Sequence, residues 1–405
     1  MSLSLEQAIQ HVLSTIAPLP AQKDPLLDVV GRAVADDLIA DHALPAFDNS
    51  AMDGFAFCYA DISGTDTLPV SDYIPAGKIP GAELRPATAC KIMTGAPLPK
   101  GADSVVPIEN CREQDGRVTI LKAVKAGANV RRQGEDVLPG QKVMSAGTVL
   151  SPAQVNLLAA LRMSSLPVHR RARVAILATG DELQELEEPY FNGGVVNSNT
   201  WGLAAALKEI HAIPLLLGIA RDNKDSLKEK ILQGLKADAL ITSAGVSAGD
   251  RDLVREVLAE CGVKEQFWQI KVRPGKPTAF GLADQTPVFS LPGNPVATML
   301  LFEVLVRPAL LKMMGHKQLF RTTLKARLTA PISKKVGQVQ IIRLLLSINE
   351  HGELCATGAG DQRTGILSTL AATQGLTILP EDKSDFDQGE RIDVQILGPG
   401  AALSY

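Results

Sequence analysis

The chain has 405 residues, 45% of them hydrophobic and 21% charged, with a formal net charge of −3 and a pI of about 6.1. That length suggests roughly two to four domains with room for a sizeable core. The charge balance lacks the basic footprint of a nucleic-acid binder, so an anionic ligand must be held by local groups.

The amino-terminal stretch MSLSLEQAIQHVLSTIAPLP lacks a basic n-region and reads as a helix, not a signal peptide. Ser4 and Gln7 fit a capping box, and Leu5, Ala8, Ile9, Val12, Leu13 and Ile16 fall on one face. Residues 45–138 hold short β-prone pieces such as SVVPIEN and RVTIL between Pro- and Gly-rich turns. Ser151 and Pro152 then open a second helix, SPAQVNLLAALRM. Residues 1–44 and 139–170 are therefore expected to form a helical linking domain, its two helices packed together, with 45–138 inserted as a β-rich domain. From 171 to 317 strand and helix patterns alternate, which predicts a doubly wound, mostly parallel α/β domain. Asn197 or Ser198 is placed near one helix cap, and VATMLLFEVLVRPALLKMM belongs to one long helix. Residues 318–405 return to short strands and read as a small β domain. No apolar run reaches the roughly 18–20 residues of a membrane span.

Five cysteines (Cys58, Cys90, Cys111, Cys261 and Cys355) form no CxxC pair, which fits reduced thiols in a cytoplasm. The six histidines have no metal spacing. GxxxxGK[ST], GxGxxG after a strand and HExxH are all absent.

Chemistry concentrates at predicted strand ends of the α/β domain. The stretch TSAGVSAGDRD places Gly245 and Gly249 after a strand, then Asp250 and Asp252. Ligands of open α/β sheets bind at such ends, and small residues let the backbone approach them. Paired carboxylates repel phosphate unless a divalent cation lies between, and Mg²⁺ takes one or two carboxylates plus substrate phosphate. ATGDEL presents Thr179, Gly180, Asp181 and Glu182 in the same way, and GIARDNKD presents Arg221 and Asp222. Positive charge comes from Lys271, Arg273 and Lys276 in IKVRPGKP, and the PGNP turn can offer Asn294 to an oxyanion. Taken singly, each stretch could be a capped helix start or a solvated loop; three acidic strand ends on one edge argue for a site.

The motifs NSAMDGFA, IMTGAPLPKGAD, NVRRQGED, ATGDEL, TSAGVSAGDRD, RPGKP and LPGNPV occur in one order across residues 47–300. In this the chain resembles the MoeA family of molybdopterin molybdenumtransferases, to which the gephyrin E domain and plant molybdenum insertases belong. The resemblance implies four domains, the α/β one similar to MogA, the linking and β-rich ones as above, and a small β-barrel-like domain at the carboxyl end. It implies molybdate insertion into the dithiolene of adenylylated molybdopterin with release of AMP, in a cytoplasmic homodimer fed by a molybdopterin adenylyltransferase. It places Thr179, Gly180, Glu182, Ser243, Gly245, Ser247, Gly249 and Asp252 in the pterin and phosphate pocket. Asp222, Asp252, Glu182 and Asp53 are the expected catalytic acids, and Asp250, Asp252 and Glu182 the expected Mg²⁺ ligands. Arg273, Lys276, Pro292, Asn294 and Pro295 would hold the oxyanion, with Arg343 and Thr364 reaching it from the last domain. Asp53, Thr94, Arg131 and Asp136 would arrive from the partner subunit. The chain departs from the family at Ala244 and Arg273, usually glycine and lysine, and at Ala297, where serine is common. Two rival readings keep the fold: a non-catalytic scaffold like the gephyrin E domain, and a nucleotide hydrolase sharing the α/β domain. Acids at 222 and 252 speak against the first, the MDGFA and TGAPLPKGAD motifs against the second.

Overall fold

The computed structural model describes residues 2–189, 191–244 and 251–397, with only the backbone of 251 and 252. Its central sheet has the order Ile213–Ala220, Arg173–Thr179, Ala239–Ser243, Thr286–Leu291, Ala279–Ala283, Lys264–Phe267. The first four strands are parallel and the last two antiparallel. Because successive side chains point to opposite faces, strand Arg173–Thr179 feeds two cores. Val174 and Ile176 pack with Leu203, Leu207 and Leu300 on one face. Ala175 and Leu177 pack with Leu227, Ile231, Val254 and Val257 on the other. Helices cover both faces, as the alternating pattern predicts.

The amino-terminal helix Leu5–Thr15 has the expected capping box at Ser4 and Gln7. Its partner differs from expectation. Leu5, Ala8, Val12 and Ile16 join the α/β core, beside Val174, Phe267 and Leu310. Ser2–Ser4 pairs with Gln269–Arg273, and Lys312 Nζ caps the Leu13 carbonyl at 2.6 Å. The helix Pro152–Ala160 instead buries Leu158 with Val29, Val34, Leu38 and Val168. The linking unit is therefore mainly strand: Ala21–Pro25 pairs with Ser165–His169, and Leu38–Ile39 with Lys142–Met144. The physical reason is the sequence 18–38, where three prolines and alternating polar residues cannot sustain a helix.

The inserted domain is a six-stranded sheet that includes Gly54–Phe57, Ala89–Ile92, Ser104–Pro107 and Arg117–Ile120. In the carboxyl-terminal domain, strands Val339–Ile348, Leu354–Gly358, Thr323–Leu328, Arg391–Ile396 and Gly375–Leu379 pair in that order. The last pairs back with the first, closing a five-stranded barrel. Gln269–Arg273 also pairs with Val339–Ile348, so the barrel is joined directly to the segment leading into the PGK loop.

Candidate active site

The ends of four strands meet at the carboxyl edge of the parallel sheet. Strand Arg173–Thr179 ends in Gly180, whose φ of +143° is a region that favours glycine. A Cβ there would strike the Glu182 carboxylate, which folds back over the turn. The next strand end is locked to it reciprocally: Asp181 N donates to Asp222 Oδ2 at 3.2 Å, and Asp222 N donates to Asp181 Oδ1 at 3.1 Å. Arg221 Nη1 donates to the carbonyls of Asp181 and Leu183. Glu182, Asp181 and Asp222 thus share one exposed edge.

Strand Ala239–Ser243 brings the buried Ser243, whose Oγ accepts from Asn199 Nδ2 at 2.7 Å. Asn199 Nδ2 also donates to the Gly293 carbonyl at 2.8 Å, tying this strand end to the PGN turn. Five buried atoms here, Thr179 Oγ1, Thr242 Oγ1, Thr200 Oγ1, Asn197 Nδ2 and Asn199 Oδ1, have no hydrogen-bond partner among the described residues. Buried polar groups are normally satisfied, so this end of the sheet is built for a polar ligand. Gly245, Ser247, Gly249, Asp250 and the side chain of Asp252 lie outside the described residues.

Asn294 caps the helix Pro295–Leu301, accepting from Ala297 N. Pro292 closes the turn through its carbonyl, which accepts from the buried Thr298 hydroxyl; Asn294 O accepts from the same hydroxyl at 3.0 Å. That hydroxyl is turned into the protein and does not replace the serine absent at Ala297. Gly275 packs where a Cβ would strike Leu301, so the PGK loop rests on the same helix.

The PGK loop forms one wall of a cleft of about 670 Å³. Arg273, Lys276 and Thr364 all line it, together with Asp361, Gln362 and Arg363. Arg343 is 1% exposed and lies beneath that loop, donating to the carbonyls of Asp361 at 2.7 Å and Arg363 at 3.3 Å. Its Nη1 has no partner among the described residues, and burial opposes its charge while Asp361 favours it. Arg363 pairs with Asp361 at 2.6 Å, and its guanidinium holds that carboxyl below the usual range.

Asp53, Thr94, Arg131 and Asp136 belong to the inserted domain. Asp53 Oδ1 accepts from both Thr94 N and Thr94 Oγ1 at 2.7 Å, and these bonds lower its pKa. Arg131 pairs with Asn49 in strand register, and Asp136 N donates to Leu44 O. All four are exposed, and the bonds just described stay within the inserted domain and its border with the linking unit. Sequence reasoning overlooked Asn199, Asp361, Gln362 and Arg363 as site residues. Asn199 was readable as a polar residue opening a helix; the loop 361–363 carried no signal apart from its charges.

The acids, the orphaned polar atoms and the cationic cleft define a class: an α/β protein with charged and hydrogen-bonding groups gathered at its strand ends. Residues 175–312 match the probable molybdopterin binding domain, residues 3–161 the MoeA N-terminal region (domain I and II), and residues 325–397 the MoeA C-terminal region (domain IV). Molybdopterin molybdenumtransferase of Haemophilus influenzae is 33% identical over 398 residues, covering 97% of this chain and 98% of the relative. Molybdopterin molybdenumtransferase 2 of Mycobacterium tuberculosis is 35% identical, covering 91% and 93%. A crystal structure of the molybdopterin biosynthesis moeA protein from Pyrococcus horikoshii superposes with a TM-score of 0.83 at 28% identity, covering 98% of this chain and all of that one. The chain belongs to the MoeA family of molybdopterin molybdenumtransferases, enzymes of molybdenum cofactor biosynthesis.

Proposed function

We propose that the protein transfers molybdenum from molybdate to the dithiolene of adenylylated molybdopterin and releases AMP. The observation that carries this reading is the cleft that Arg273, Lys276 and Thr364 line together, next to strand ends bearing acids and unpartnered buried polar atoms. The first is suited to a tetrahedral oxyanion, the second to a pterin with its phosphates.

Thr179, Gly180, Ser243, Gly245, Ser247 and Gly249 would hold pterin and phosphate. Hydrolysis joins a water oxygen to phosphorus and breaks the phosphoanhydride bond, with AMP leaving. Asp222 and Asp252 are the acids assigned to receive the water proton, and the Asp181 amide fixes the Asp222 carboxylate for that task. Glu182, Asp250 and Asp252 would hold Mg²⁺. Their hard oxygen donors suit that ion, and the exposed Glu182 carboxylate folded over Gly180 fits the role. Mg²⁺ bound there would offset phosphate charge. No covalent nucleophile is required, because positioning accounts for much of such a barrier.

Arg343 acts here from below, by fixing the loop that carries Thr364. Asp53, Thr94, Arg131 and Asp136 would complete the site from the partner in a homodimer. A molybdopterin adenylyltransferase would supply the substrate. The test is to incubate the purified protein with adenylylated molybdopterin and molybdate, then analyse the extracted pterin. Molybdenum on the dithiolene is expected; pterin recovered without metal would contradict the assignment.

A further inference from the structure

A second charged cleft, of about 460 Å³, lies at the joint between the linking unit and the α/β domain. It is at the opposite end of the sheet from the candidate active site. Arg173 begins the strand that ends at Thr179, so the two are about 20 Å apart at a rise near 3.3 Å per residue. Arg32, Arg170, Arg171 and Arg173 line this cleft, with Asp24 and Asp28.

Two of the arginines are committed. Arg170 holds Asp238 through two bonds of 2.7 and 2.6 Å. Arg32, only 5% exposed, pairs with Asp24 and donates to the His169 carbonyl at 2.7 Å. Arg171 bonds only the Asp28 carbonyl, at 3.2 Å. Among the described residues neither Arg171 nor Arg173 makes an ion pair, and Arg32 Nε is buried without a partner. Arg32, Arg170, Arg171 and Arg173 thus stand against Asp24, Asp28 and Asp238, with Asp24 feeling both Arg32 and Arg171, which leaves one excess positive charge in a chain whose overall charge is negative. Neighbouring groups register that field: after burial, Arg171 and Arg32 push the pKa of His211 down.

We propose that this cleft binds a phosphate dianion, free or carried by a small nucleotide, between Arg171 and Arg173 of the α/β domain and Arg32 of the linking unit. Guanidinium groups suit that task because their planar donors match phosphate oxygens. A bound phosphate would tie the two units together at their joint.

The test is calorimetric titration of the full chain with inorganic phosphate and, separately, with AMP. All titrations use Lys276→Ala protein to weaken the cleft beside the PGK loop, and because the strand-end pocket proposed above for pterin and phosphate can also take either probe, this cleft is read as the binding lost in Arg171→Gln/Arg173→Gln. Binding is expected, falling at least tenfold in Arg171→Gln/Arg173→Gln and rising several-fold in Asp28→Asn. In the component lost in the double variant, equal affinity for the two probes assigns the site to the phosphate group alone, and tighter AMP binding assigns it to a nucleotide. Absence of binding by either probe, or affinity unchanged in a double variant with a native circular dichroism spectrum, overturns the proposal. Because neither probe requires turnover, failure here leaves the insertase assignment standing.

Discussion

Ala244 has a φ of +77°, a conformation that costs an L-residue with a Cβ roughly 1–2 kcal/mol. It sits against the PGN turn, where a Cβ on Gly293 would lie 3.1 Å from that of Ala244. Ala244→Gly should therefore raise stability by about 0.5–1 kcal/mol, after allowing for the greater entropy of glycine in the unfolded chain; thermal unfolding measures it, and a lower melting temperature would contradict the strain argument. At Lys276 the expectation concerns ligand binding. The residue lines the cleft together with Thr364, so Lys276→Ala should weaken molybdate binding at least tenfold while shifting the melting temperature little. Calorimetry with molybdate decides between that and a merely solvated charge.

The strands and helices of the α/β domain were legible from the alternation over 171–317: apolar runs such as RVAILAT and ALITS are strands, and helices separate them. The long final helix was legible as one piece, yet it holds a π-helical turn at Phe302–Val306 before Arg307–Met313. Pro308 explains this, since it has no N–H for the carbonyl of Val304 and its ring would clash there. The barrel strand Leu354–Gly358 escaped notice, because LCATG has neither a long apolar run nor clear alternation. Hidden most completely was the joint, where His169, His211 and His316 come together from distant parts of the sequence. Burial, followed by the charges of His211, Arg307 and His169, pushes the pKa of His316 down to about 4. Since its unfolded value is near 6.5, the unfolded chain binds the extra proton between those limits. Stability is then full above pH 6.5 and falls by about 1.4 kcal/mol per unit towards pH 4. Urea unfolding across that range should show the slope, and His316→Gln should flatten it; an equal slope in both proteins would remove His316 as the cause.

Across the whole molecule, the four units were legible from changes in local pattern, whereas the way they pair was not. The amino-terminal helix crosses from the linking segment to the α/β core, where it buries Leu5, Ala8, Val12 and Ile16. The same limit applies to Asp53, which the sequence ties to function while its hydrogen bonds stay within the inserted domain. If it serves a partner's pocket, a two-fold dimer makes two equivalent composite sites. Mixing inactive Asp53→Ala with inactive Asp252→Asn subunits should then restore activity, because one site in each mixed dimer carries neither lesion. Persistent inactivity, with mixed dimers verified by native mass spectrometry, would sink the trans assignment. The most direct test of the insertase reading follows AMP and pterin-bound molybdenum in one reaction. Wild-type protein should yield the two in equal amounts, and Asp252→Asn should slow both about 10²-fold or more while still folding and binding pterin. AMP release at the wild-type rate by that variant, or AMP formed with no molybdenum on the pterin, would contradict it.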